Sequence, residues 1–96
     1  MFCSIRQYDS CTDNDELIRR VEAELLPAIR DMDGYISYVL IDSDEGDVTS
    51  ISMFDTELQA EAANKQVADL VEEHLSELLP EEPMITIGEV VIENRR

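Results

Sequence analysis

Arg6 and His74 are the two side chains in this sequence with the most to offer a cavity. A guanidinium presents a rigid set of donors to a carboxylate or phenolate, so Arg6 would orient an anionic substrate. The alternative is a cross-strand ion pair with Glu89, because the first and last strands are expected to be neighbours. His74, the single histidine, falls on the stripe Ala60, Ala63, Val67, Leu70, Val71, His74, Leu78 and should face inward. There an imidazole is either a general base or a core group with a hydrogen-bond partner. Tyr35 and Tyr38 fall on opposite faces of an extended run, so only one can line a cavity. Ser50 and Ser52 share a strand face and either bind a polar ligand or satisfy one another across the sheet.

Other chemistry is missing from the sequence. There is no phosphate-cradling glycine loop, nucleophile elbow or zinc-binding helix, and Asp42-Ser43-Asp44-Glu45-Gly46-Asp47 lacks the ligand spacing of a calcium loop. Cys3 and Cys11, with one histidine, make a poor zinc set, and reduced thiols are expected of them. No metal and no cofactor is implied by the residues themselves.

The elements that would position these groups follow from periodicity. Phe2 to Tyr8 alternates, with Cys3 and Ile5 on one face and Ser4, Arg6 and Tyr8 on the other, which predicts a strand. Asp13 with Glu16 reads as a capping box opening a helix whose stripe is Leu17, Val21, Leu25, Ala28, Ile29 and Met32. Pro27 falls inside it and requires a kink or change of course. Gly34 supplies the positive φ needed to leave it.

Tyr35 to Ile41 reads as a strand covered on both faces, followed by the Asp42–Asp47 turn. The return strand, Val48 to Phe54, puts Thr49, Ile51 and Met53 opposite Ser50, Ser52 and Phe54. A second helix starts near Asp55 or Thr56 and runs toward Leu79-Pro80. Met84 to Ile92 is the last strand, with Gly88 a bulge or point of close approach.

The order strand, helix, strand, strand, helix, strand predicts an α+β, ferredoxin-like βαββαβ fold: a four-stranded antiparallel sheet in a single domain, residues 1–96. Right-handed crossovers place both helices on one face. The other face, expected to carry Phe2, Phe54 and parts of the second and fourth strands, then needs cover. A two-fold homodimer packing sheet against sheet supplies it.

Charge bounds the surroundings. Twenty-three Asp and Glu against seven Lys and Arg give a formal charge of −16, spread over every segment. Such self-repulsion is tolerable where salt screens it, at a Debye length of ~3 Å in 1 M salt, so the composition predicts a halophile's protein. The scattered arginines offer no patch for nucleic acid. No apolar run approaches the ~18 residues of a membrane span, and the start carries no signal-like segment, so a cytoplasmic location is expected.

The chain resembles the antibiotic biosynthesis monooxygenase-like domains of the dimeric α+β barrel superfamily. The resemblance rests on the Arg6-bearing first strand, a helix leading through Pro27 to Asp33-Gly34-Tyr35, Ser50-Ile51-Ser52-Met53-Phe54, the Ala-rich second helix and Gly88-Glu89-Val90. It implies a homodimer with a cavity, used in relatives to oxygenate polyketide-like phenols or to degrade haem. For phenol oxidation the implied set is Arg6 and His74 as catalytic groups, with Tyr8, Tyr35 or Tyr38, Ser37, Ser50, Ser52, Phe54 and Glu89 around the cavity. Haem-degrading relatives carry a ligating histidine, a tryptophan and a first-strand asparagine. Here only His74 stands in place, since Phe54 occupies the tryptophan position and Asn14, Asn64 and Asn94 lie off the first strand. Fold does not carry function, and no pair of groups with tuned protonation is visible. The expectation is therefore a non-catalytic ligand-binding or interaction module, the alternatives being a cofactor-independent monooxygenase-like enzyme acting on an aromatic or polyketide-like molecule and, behind it, a haem-binding or haem-degrading protein.

Overall fold

The computed structural model describes residues 1–43 and 46–96. Its strands are β1 (Phe2–Tyr8), β2 (Tyr35–Asp42), β3 (Val48–Phe54) and β4 (Met84–Glu89), joined in one antiparallel sheet of order β2-β3-β1-β4. The expected α+β sheet is thus formed, with β1 interior and β4 at an edge. β4 stops short of the expected Ile92, and Val91 and Ile92 are exposed beyond it. Asp44 and Glu45, part of the expected hairpin turn, lie outside the described residues.

The first helical segment is made of α1 (Asn14–Arg20), a π-helical turn at Val21–Leu25, and α2 (Leu26–Arg30). Asp13 caps it by accepting from the Glu16 amide. Only that half of the expected capping box forms, because the Glu16 carboxylate is engaged by Arg19 and Arg20. The widened turn precedes Pro27, and the Leu26 amide reaches back to the Val21 carbonyl. This is the change of course that proline requires, since its ring would clash with a carbonyl in a regular turn. It also keeps Leu17, Val21, Leu25 and Ile29, all buried, on one line at a spacing that a pure α-helix would rotate steadily away.

Gly34, at φ 78°, ends the segment. The second layer element is α3 (Glu57–His74), opened by a full capping box in which Thr56 Oγ1 accepts from the Gln59 amide and Gln59 Oε1 from the Thr56 amide. α3 turns Ala60, Ala63 and Val67 onto the sheet. It ends at His74, earlier than expected, and the chain runs through a turn in which Leu75, Leu78 and Leu79 remain buried.

Four expectations, three of them about faces, are overturned. Phe2, Ser4, Arg6 and Tyr8 register with Phe54, Ser52, Ser50 and Val48, and this face lies under the helices. Phe2 and Phe54 therefore belong to the helix side, Phe54 being fully buried with Tyr35 edge-on at 6.2 Å. Second, a bulge between Tyr35 and Ser37 adds one residue to β2 and resets its alternation, so Tyr35 and Tyr38 share the helix face. Third, Gly88 pairs regularly with Cys3 and a Cβ there would meet open space; it is neither bulge nor close approach. Fourth, β2 is not covered on both sides, because Val39 and Ile41 are 50% and 40% exposed. The uncovered face carries Cys3, Ile5, Val39, Ile41, Ile51 and Met53.

Candidate functional site

Arg6 sits under α3 at 1% exposure, and its surroundings are unusual for a charge so deeply placed. A guanidinium has five N–H groups. Here Nε donates to Ser50 Oγ at 3.3 Å, Nη1 to Ser4 Oγ at 3.1 Å and to Asn64 Oδ1 at 2.5 Å, and Nη2 to Ser50 Oγ and Ser52 Oγ at 3.0 Å each. Every acceptor is neutral. Burial lowers the Arg6 pKa, opposed by the phenols of Tyr38 and Tyr8 and by Cys3. The cation is thus fully hydrogen-bonded but has no counter-charge among these acceptors.

The alternative pairing with Glu89 does not form. Glu89 registers with Phe2 and Arg6 with Ile85, so the carboxylate stands at the far end of the strand pair. Ser50 and Ser52, expected to satisfy one another, instead accept from Arg6; the Ser50 hydroxyl donates to the Tyr38 oxygen at 3.0 Å. Ser4 likewise donates to Asn64 Oδ1 at 2.7 Å.

Beside this network opens a cleft of about 480 Å³, between α3 with the turn that follows it and the β1–β4 edge of the sheet. Arg6, Tyr8 and Asn64 form its polar floor, and Val67, Val71, Leu79 and Ile85 are among its apolar walls. Arg6 offers this space a field rather than a contact, since its donors are occupied. Tyr8 and Asn64 offer contacts. Tyr8 is 8% exposed, and its hydroxyl makes no hydrogen bond to the described residues. Burial, reinforced by Tyr38 and opposed by Arg6, raises its pKa above the ordinary 10, so at neutral pH it is a phenol with a proton to donate. Asn64 must turn its oxygen toward Arg6, which cannot accept; its amide N–H groups are therefore left without a protein partner among the described residues.

The remaining expected site residues lie elsewhere. His74 is exposed at the last position of α3, its ring 3.6 Å from Glu73, and does not line the cleft. Its angular position on the stripe is as expected, but the helix ends there and Leu75, with φ −128° and ψ 8°, takes the inward place at 2% exposure. The expected convergence of Arg6 and His74 is not formed. Ser37 registers with Met53 on the uncovered face, Tyr35 and Phe54 pack in the core, and Glu89 is exposed. The space directly between sheet and helices is filled: about 10 Å³ remains among Tyr8, Leu17, Tyr38 and Val67. Sequence reasoning missed Asn64. Its one signal was position: a polar side chain next to Ala63 on the sheet-facing side of α3.

No family model and no curated protein matches this sequence. Solved structures do. A protein of unknown function from Nitrosomonas europaea superposes with a TM-score of 0.78 at 14% identity, over 99% of this chain and 93% of that one. A monooxygenase from the ActVA-Orf6 gene of Streptomyces coelicolor, in complex with nanaomycin D, gives 0.69 at 19% identity, over 96% and 92%. The fold is that of the antibiotic biosynthesis monooxygenase-like proteins. A mutant of MhuD with two manganese protoporphyrin IX molecules per active site also matches, at a TM-score of 0.73 and 12% identity over 100% of both chains. At these identities the likeness is one of fold.

Proposed function

We propose that this monooxygenase-like fold serves here as a small-molecule-binding module that holds an aromatic or polyketide-like ligand by a carbonyl, phenol or enolate oxygen. The observation that carries the reading is the floor of the cleft: Tyr8 and Asn64 with unused donors, backed by the buried charge of Arg6. Two donors and a cation behind them suit an oxygen that is negative or easily polarised, while apolar walls suit a ring. The Streptomyces neighbour supports the size class, because nanaomycin D is the ligand in its structure. Binding is favoured over catalysis because His74, the expected base, stands outside the cleft.

The same reading takes the chain as a cytoplasmic homodimer working in strong salt. Its support is the uncovered face with Ile5, Val39, Ile41 and Ile51, and a charge of −16.

Titration with nanaomycin D and with 4-ethylphenol, followed by amide chemical shifts, tests the binding. Shifts should concentrate at Tyr8, Asn64, Val67 and Ile85. Tyr8→Phe should weaken binding roughly two- to tenfold, the worth of one hydrogen bond. Asn64→Asp keeps an acceptor for Arg6 but removes the free donors and neutralises the cation, and should weaken binding further. Affinity unchanged in both variants, or no shifts at millimolar ligand, would remove the proposal.

A further inference from the structure

The buried and the exposed lining of the cleft carry opposite charge. Its buried lining is Arg6 at 1% exposure and Tyr8, with Asn64 half-buried; its exposed lining includes the carboxylates Glu72 and Glu82 and the Ser76 side chain. Glu81 is also part of the exposed lining, but its carboxylate already accepts from Ser10. A ligand bearing a second anion at its far end would meet this rim unfavourably. One with a donor or a positive charge there would be matched along its whole length. We infer, building on the binding reading above, that the cleft selects dipolar ligands: an oxygen-headed aromatic ring whose other end carries an ammonium or similar donor group. The unpartnered Tyr8 hydroxyl marks the head position, and Glu72 and Glu82 mark the tail position.

The alternative cause of a preference for cations is the charge of the whole molecule, and it makes a different demand. A global field is indifferent to which carboxylates are removed; a local match is not. Three probes sharing one phenol head separate these ideas: tyramine with a cationic tail, 4-ethylphenol with a neutral one, and 3-(4-hydroxyphenyl)propionate with an anionic one. At ~0.3 M potassium chloride, where screening still leaves a Debye length of ~6 Å, tyramine should bind about fivefold more tightly than 4-ethylphenol. The propionate should bind most weakly. The double variant Glu72→Gln/Glu82→Gln should bring the tyramine to 4-ethylphenol ratio to about one. Glu57→Gln/Glu61→Gln, removing two exposed acids of α3 that do not line the cleft, should leave it unchanged. Equal binding of all three probes, or an equal loss of preference in both double variants, overturns this inference and leaves the binding reading intact. Failure of every probe to bind overturns both.

Discussion

At the scale of single residues, the consequence of five bonds to neutral oxygens is that Arg6 cannot be removed cleanly. Arg6→Met deletes the charge but strands the Ser4, Ser50 and Ser52 oxygens without their donor and leaves Asn64 Oδ1 with Ser4 alone, in a site with no access to bulk water for most of them. The loss should be about 1–3 kcal/mol, the cost of buried neutral oxygens left unsatisfied, measured by urea unfolding. Arg6→Lys should recover part of it, since three donors on a flexible stem replace a planar five. Equal stability of the methionine variant would show that the network is dispensable. The phenols beside Arg6 give a pH signature. Tyr8 and Tyr38 are both raised above their ordinary 10 by burial, with Arg6 pulling each back down. An acid with a raised folded pKa contributes stability that is fully present below its unfolded value and is lost as pH climbs through the folded one. Thermal midpoints should therefore fall once pH passes about 10, and Tyr8→Phe should fall less steeply. Arg6, whose folded value is lowered, works in the opposite sense, so the difference between parent and Tyr8→Phe is the informative quantity.

At the scale of elements, the junction between the first helical segment and α3 is built on one close approach. Gly34 has φ 78°, and a Cβ there would stand 1.9 Å from Gln59 Oε1, the atom that accepts the Thr56 amide. Gly34→Ala should cost about 1 kcal/mol for the left-handed backbone and about 1 more for the disturbed cap, read from denaturant midpoints. Gln59→Ala removes the obstacle, so the double variant should be less destabilised than the sum of the singles; strict additivity would show that the contact does not govern the junction. Gly34 and the helix start at Thr56 were legible because turn and cap chemistry act over a few residues. So were the bounds of β1 and β3, since alternation shows directly in the side chains. The sidedness of the sheet was not. Ser4, Arg6, Ser50 and Ser52 are polar, and polarity normally marks the solvent face; only their mutual bonds, across partners up to 46 positions apart, make them an interior. The β2 bulge was hidden for a similar reason, because one inserted residue leaves no mark in a run with so little polar relief. Arg6 and Tyr8, which both line the cleft, were legible as candidate site residues by type. Asn64 was not, and neither was the loss of His74, which depends on where α3 stops rather than on the stripe it follows.

At the scale of the whole molecule, a small core, a large charge and an uncovered sheet have to be stable together. Val39 and Ile41 on β2 lie beside Thr49, Ile51 and Met53 on β3, which lie beside Cys3 and Ile5 on β1, a band running across three strands with no helix above it. Bringing two such bands together removes apolar surface from water at roughly 25 cal/mol per Å², but it also brings together two chains of −16 each. The two terms respond oppositely to dilution of salt: repulsion grows as the Debye length lengthens, while the apolar term gains nothing. Assembly and stability should therefore fail together as salt is lowered. Light scattering in ~2 M potassium chloride should return twice the subunit mass, and below ~0.2 M the mass should drop along with the melting temperature. Ile51→Lys places a charge at the centre of the band without touching Arg6 or the cleft, and should give a monomer even in strong salt. That variant separates the two contributions. If its melting temperature still falls on dilution, self-repulsion acts within the single chain; if it is insensitive to salt, the dependence belongs to the contact between copies. A parent protein that remains a folded monomer in concentrated potassium chloride would leave the band to be explained by some other cover.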